Sequence, residues 1–274
     1  MQDPTLLLQL LVLLVAVGAF AGVLAGLLGV GGGIVLVPAY FFVFTTLGYD
    51  GEQTMQLCVA TSLATIVVTS ARSLSSHHKK GAVDWGILRR WAPGIMLGAI
   101  VGVLIVAQLR TVVLQIIFGG LAMFVGLYMA LGRSNWRLAN DMPVGWLRAV
   151  LSSMVGFLSV LMGVGGGSFG VPLMSLHNTP IHRAVATAAG FGLLIAVPSV
   201  IGFLMIPLSQ IDRPPFTVGL VNLVAFAITV SMTLITAPLG ARLAHRLPPE
   251  RLRRVFAVFL LLVAANMIRK AVGW

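Results

Sequence analysis

The sequence predicts an all-α, polytopic membrane protein made of two inverted repeats of about five helical elements each, with helices broken at glycine-rich motifs. Three observations predict it. First, the 274 residues are 58% hydrophobic and only 9% charged, with a mean hydropathy of +1.02, whereas a soluble domain carries roughly 25% charged residues. Second, apolar runs long enough to cross a bilayer recur along nearly the whole length. Third, one motif occurs twice. Gly29-Val30-Gly31-Gly32-Gly33 leads to Pro38, and Gly163-Val164-Gly165-Gly166-Gly167 leads to Pro172, so the decapeptides GVGGGIVLVP and GVGGGSFGVP agree at seven of ten positions.

The elements follow in order. Leu6–Leu28 contains a cleavage-like Ala19-Phe20-Ala21 triplet. It is too long for a signal peptide's apolar core and is preceded by Asp3 rather than a basic residue, so it reads as a mature transmembrane helix. A glycine cluster is costly to a helix and breaks the run. Ile34–Phe44 follows, and at ~1.5 Å per residue it covers only about half of a ~30 Å hydrocarbon core. Met55–Ser75, Ile87–Ala107 and Val112–Leu131 complete a first repeat over residues 1–131. The GxxxG spacings at Gly22/Gly26 and Gly94/Gly98/Gly102 read as close helix packing. Residues 132–145, with Asn135, Asn140, Asp141 and Pro143, form the longest polar interval and read as a linker. The second repeat, 146–274, runs through Trp146–Met162, a short Phe169–Leu176 behind the second glycine cluster, Ala184–Ile206, Val218–Pro238 and Leu252–Lys270.

The halves echo each other beyond the glycines. Val59-Ala60-Thr61 recurs as Val185-Ala186-Thr187, Gly81-Ala82-Val83-Asp84 as Gly219-Leu220-Val221-Asn222, and Leu97-Gly98-Ala99 as Leu239-Gly240-Ala241. Four echoes in preserved order indicate tandem duplication. Basic residues set the orientation. If each half makes five passes and the second is inverted, only Arg110, Arg213, Arg269 and Lys270 of the 18 Lys and Arg fall opposite the linker. A same-orientation duplication would divide the two richest loops between faces. The linker is therefore expected in the cytoplasm and both termini outside. The same clustering explains the net charge of +11 as a membrane-topology signal rather than a nucleic-acid surface. The single cysteine, Cys58, excludes an internal disulfide.

A helix restarting after a break exposes unpaired N–H groups and its positive dipole end, which suits an anion. Gly31, Gly32, Gly33, Ile34, Gly165, Gly166, Gly167, Ser168 and Phe169 line these restarts. Thr61, Ser62 and Thr65, with Thr187 in the second half, offer hydroxyls on the adjacent helices. Asn222 lies in an apolar run, as a substrate ligand or as glue between helices. Asp84 is either the cap of the helix beginning near Trp85 or a coupling and gating group. Arg72 and Arg183 either draw an anion inward or anchor helix ends. No cofactor is implied, and no His spacing with a carboxylate or cysteine suggests a metal. The strings Gly165-x-Gly167-x-x-Gly170 and Gly166-x-Ser168-x-Gly170 match a dinucleotide fingerprint and a nucleophile elbow, but both lack the required strand context. Neither His177 nor His182 has an acidic neighbour in sequence.

At the doubled Gly-Val-Gly-Gly-Gly…Val-Pro, at Val59-Ala60-Thr61-Ser62 and at Gly81-x-Val83-Asp84-Trp85, the chain resembles the sulfite exporter TauE/SafE family. The resemblance runs through both halves. It implies a bacterial inner-membrane transporter of small oxidised-sulfur anions such as sulfite, sulfoacetate or other organosulfonates. The glycines Gly31–Gly33 and Gly165–Gly167 match the family motif directly. Because Ala188-Ala189 stands where the first half has Ser62-Leu63, the anion is expected to be held asymmetrically. Ser62 and Asn222 would set specificity, and Phe169 or Met174 would contact a sulfonate's apolar tail. The expectation is a secondary transporter working by alternating access, driven by membrane potential or by protons through Asp84. The alternatives are a carrier or channel for another small solute or a metal ion, and a membrane enzyme using Ser168. Oligomeric state is not readable from the sequence.

Overall fold

The computed structural model describes residues 4–28, 32–131, 137–207, 214–244 and 249–273. Among them are ten helices: α1 (Pro4–Leu28), α2 (Gly33–Thr46), α3 (Thr54–Lys79), α4 (Trp85–Val106), α5 (Thr111–Leu131), α6 (Gly145–Leu161), α7 (Gly167–Leu176), α8 (Ile181–Met205), α9 (Leu223–Ala244) and α10 (Pro249–Ala271). Of these, α3, α4, α5, α8 and α9 are long and apolar enough to cross a membrane. The helices broken at glycine clusters are as short as the sequence predicts, 14 residues for α2 and 10 for α7. Gly29, Val30 and Gly31, the first part of one cluster, lie outside the described residues, as do Arg133 and Asn135 of the linker.

Three boundaries depart from expectation by four residues or more, one of them the end of α9, which runs past Pro238 to Ala244. The helix predicted from Val218 starts five residues later, at Leu223. Thr217–Val218 (β1) and Val221–Asn222 (β2) instead pair as a two-stranded antiparallel hairpin, Thr217 opposite Asn222. Gly219 holds φ 55° there, in the left-handed region, and a Cβ on it would lie 2.5 Å from the Phe203 carbonyl oxygen. Apolar character continues through the turn, so hydropathy could not reveal it. Helix α3 also runs past Ser75 through His77, His78 and Lys79. Cations in a last turn favour continuation by complementing the helix dipole.

The core is the α3–α8 pair. Every residue from Thr54 to Ile66 is buried, and α8 buries Ala184, Ala186, Thr187, Phe191 and Ile195 against it. Around this pair α1 packs on α9, α4 on α6 and α5 on α10, while α2 lies on α3 and α7 on α8. Exchanging each first-half helix for its second-half counterpart leaves these five pairings unchanged. Glycine contacts give the directions. Gly18 meets Thr229 and Met232 while Gly22 meets Thr233 and Thr236, so α1 and α9 run parallel. Gly94 meets Ser152, Gly98 meets Ser153 and Gly102 meets Val160, so α4 and α6 run parallel. Gly119 meets Ala264 and Ile268 while Gly126 meets Leu261, so α5 and α10 run antiparallel. The packing role assigned to Gly22, Gly94, Gly98 and Gly102 is thus what the structure contains; the surroundings of Gly26 lie outside the description. Leu97, Leu104, Phe124 and Leu262 are each more than 60% exposed, forming the outward apolar surface that a bilayer covers.

Candidate functional site

The glycine breaks sit beside α3, and they touch each other. Gly32 caps α2 in a left-handed conformation (φ 69°), and its carbonyl accepts from the N–H groups of Val35 at 3.0 Å and Leu36 at 3.1 Å. In the other half Gly163 (φ 61°) turns the chain off α6. The cap Gly166 has φ −61°, and its carbonyl accepts from Gly170 N–H at 2.8 Å. A Cβ on Gly33 would lie 2.8 Å from the Gly163 oxygen and 3.0 Å from Val164 Cα. Ser62 Oγ donates to that same Gly163 oxygen at 2.7 Å. Ile66 lies between the two breaks, within 3.4 Å of the Cβ positions of both Gly33 and Gly165.

Packing explains most of these glycines. A Cβ on Gly166 would collide with Phe191 and stand 2.8 Å from the Ala188 oxygen, and one on Gly170 would stand 2.8 Å from the Phe191 ring. Gly165 is different. Its φ is not left-handed, and its nearest Cβ neighbour would be Ile66 Cγ2 at 3.4 Å, an ordinary van der Waals contact. Among the described residues nothing requires glycine there. What glycine leaves is backbone open to close approach.

Ser168 follows in the first turn of α7. It is only 4% exposed, and its Oγ has no hydrogen-bond partner among the described residues. Its counterpart in α2 is Ile34, also buried, so the two restarts are chemically unlike. A buried, unpaired hydroxyl costs about 1–3 kcal/mol, which makes it an anomaly to be explained. Pro172 adds to the polarity of this turn, because it has no N–H to return to the Ser168 carbonyl. Phe169 is half-buried and Met174 fully buried. His177 sits at the far end of α7, roughly 13 Å along the helix by its rise, with Nδ1 2.8 Å from the Leu173 oxygen. His182 is exposed. Ser168 therefore has neither of the histidines that a nucleophile reading would recruit. Among the described residues no group of three His, Cys, Asp or Glu side chains is placed to hold a metal ion.

The remaining candidates fall into a crossed pattern between the halves. Asp84 N–H donates to Thr187 Oγ1 at 2.9 Å, and Asn222 N–H donates to Thr61 Oγ1 at 3.1 Å. Asp84 Oδ1 accepts from Ile87 N–H at 3.0 Å, capping α4, and Asn222 Oδ1 accepts from Ala225 N–H at 2.8 Å, capping α9. The sequence echoes pairing Asp84 with Asn222 and Thr61 with Thr187 thus perform equivalent tasks. Beyond them the two differ. Asp84 Oδ2 lies 3.4 Å from Arg183 Nη2, a partly exposed ion pair. Asn222 is fully buried and donates through Nδ2 to the Pro215 oxygen and to Thr217 Oγ1, both at 2.9 Å. Arg72 is exposed near the end of α3, away from this pattern. Two contributors carried no sequence signal. Tyr40, whose hydroxyl is 3.3 Å from Thr65 Oγ1, reads as one more apolar residue of its run. Ile66 is an ordinary helix filler until both breaks close on it.

Residues 14–267 match the family described as Sulfite exporter TauE/SafE. The chain belongs to the TauE/SafE family. This TauE/SafE protein is 30% identical to a "Probable membrane transporter protein" of Haemophilus influenzae over 95% of its own length and 98% of that protein's. It is 26% identical to another so named from Methanocaldococcus jannaschii, over 92% and 93% of the two chains. It is 27% identical to YunE of Bacillus subtilis, a "Probable membrane transporter protein", over 95% and 98%. No solved structure matches it. With its long apolar helices, the TauE/SafE protein is a multi-pass membrane protein of a transporter family.

Proposed function

We propose that the protein is a secondary transporter that moves a small oxidised-sulfur anion, such as sulfite, sulfoacetate or another organosulfonate, across a bacterial inner membrane by alternating access. The observation that carries the reading is Ser168, a buried hydroxyl in the first turn of α7 with no hydrogen-bond partner among the described residues. The amide groups of that turn have no intrahelical acceptors and sit at the positive end of the helix dipole. An oxyanion there accepts from them and from Ser168 together. Gly165, whose lack of a side chain nothing among the described residues demands, supports close approach of the anion to the main chain. Phe169 and Met174 supply the apolar wall for a sulfonate's carbon tail. Gly31–Gly33 and Ile34 contribute the second restart, and Ser62, Thr61, Thr187 and Asn222 hold its surroundings in place.

The repeats, residues 1–131 and 146–274, are read as inverted. Parallel packing of α1 with α9 and of α4 with α6, and antiparallel packing of α5 with α10, support five passes per half in opposite senses. The linker then lies in the cytoplasm. Export of an anion from a negative interior runs with the membrane potential and needs no coupling ion. Asp84, occupied as a cap and ion-pair partner, is proposed as a gating rather than a proton-carrying group, with Arg183 as its partner and Arg72 as an attracting charge at the same face.

The test is flux in proteoliposomes loaded with sulfite, sulfoacetate or sulfate. Sulfite or sulfoacetate should move, and Ser168→Ala should raise the half-saturating concentration roughly tenfold or more, as expected for losing a hydrogen bond to a charged group. Absence of flux for every sulfur oxyanion sinks the reading.

A further inference from the structure

The Asp84–Thr187 and Asn222–Thr61 hydrogen bonds lie at opposite ends of the central α3–α8 pair. Thr187 is in the second turn of α8, where Asp84 reaches it. The hairpin carrying Asn222 is tied to the other end of α8, Leu220 N–H donating to the Phe203 oxygen at 3.0 Å. Sixteen residues separate Thr187 from Phe203, roughly 24 Å along the helix. Between these ends the glycine crossing packs on α3 and α8: a Cβ on Gly192 would be 3.5 Å from Gly166 N, and Ser62 holds Gly163. Each bond joins the start of one half's fourth long element to the third helix of the other half. Each therefore ties the start of α4 or α9 to a helix of the other half.

We infer that the Asp84–Thr187 and Asn222–Thr61 bonds are the two gates of this protein, one on each side of the glycine crossing, and that they open in alternation. Asp84, Asn222, Thr61 and Thr187 are positioning residues in this role. The gates are not equal. The position equivalent to Arg183 in the first half is Leu57, a buried apolar residue, so among the described residues the ion pair belongs to the Asp84 end. Its contact is partly exposed and so can be made and broken at the membrane surface, whereas the Asn222 end relies on a fully buried amide network. Gating of elements against one another around a fixed site is one form that alternating access takes.

The gating role rests on the transport reading, but its test needs no substrate. Hydrogen–deuterium exchange is followed on the full-length protein in lipid nanodiscs, in the segments around Asp84 and Asn222. Thr187→Val removes the acceptor at one end and should speed exchange around Asp84 roughly fivefold, the factor a typical net hydrogen bond carries, while slowing it around Asn222. Thr61→Val should do the reverse, and Thr187→Ser should restore the native pattern. Arg183→Gln, at a half-exposed side chain, should act in the direction of Thr187→Val and keeps the test decisive if a buried valine variant fails to assemble. Both segments speeding up together, or one changing with the other unmoved, overturns the alternation. Absent sulfite flux with antagonistic exchange intact would remove the substrate assignment and leave the gates standing.

Discussion

Asp84 and Asn222 show how one backbone position is served by two chemistries. Either side chain caps its helix through an oxygen, but the helix start was legible only at Asp84; Asn222 reads as interior to a helix running from Val218. The partners were not legible, since Thr61 and Thr187 lie 161 and 103 residues away along the chain. Asn222→Ala should cost roughly 2–4 kcal/mol, because it removes a cap and the hydrogen bonds given to the half-buried Pro215 carbonyl and to the Thr217 hydroxyl. Asp84→Asn keeps the cap and forfeits only a partly exposed ion pair, so it should cost about 1 kcal/mol or less. Thermal unfolding in detergent would check the order, and an Asp84 variant less stable than the Asn222 one contradicts it. The glycines make a second contrast. Gly166→Ala drives a methyl into Phe191 and should impair assembly, whereas Gly165→Ala meets only ordinary contact and should leave a stable protein with reduced anion flux. Size-exclusion profiles beside flux measurements separate the two outcomes. The doubled motif announces all of these glycines alike. Only the packing sorts them.

At the scale of elements, long apolar periodic runs were readable because helices satisfy their own backbone wherever lipid surrounds them. The hairpin at Thr217–Asn222 escaped for the same reason in reverse: its residues are as apolar as a helix's, and its turn is encoded in Gly219 and the paired Pro214 and Pro215. The face of α4 that carries Gly94, Gly98 and Gly102 was readable as a packing face, while its partner, α6, was not. At Gly98 the α4 backbone lies directly on Ser153, leaving no room for a side chain. Gly98→Leu should therefore abolish stable accumulation of the protein, and folded, active Gly98→Leu protein would refute this account of the α4–α6 contact. The end of α7 has a further attachment. Leu138 and Ala139, in the linker, donate their N–H groups to the Leu176 carbonyl at 2.8 and 3.4 Å. Leu138→Pro deletes the better donor, and exchange in the 170–178 segment should accelerate more than at Leu36 in α2.

At the scale of the molecule, four ordered echoes point to a division into halves, and the charge distribution proposes an orientation for them. A reporter fused at either terminus should read as external, and one in the linker as cytoplasmic; a terminus on the linker's side excludes the five-pass inverted arrangement. What no echo disclosed is that the halves interlock rather than sit side by side. α1 is partnered by α9 and α4 by α6, so each repeat leaves its glycine-lined faces uncovered when alone. Residues 1–136 and 137–274 expressed separately should be degraded, and co-expression should rescue both. The pairing also bears on the order of synthesis. Helix α1 leaves the ribosome before α9, yet the surface it needs lies around Thr229, Met232, Thr233 and Thr236 of that later helix. Nascent chains arrested before α9 would hold an unpaired first helix in the bilayer, available to insertion factors and to membrane proteases. The expected consequence is that α1 stays unpaired until α9 is inserted.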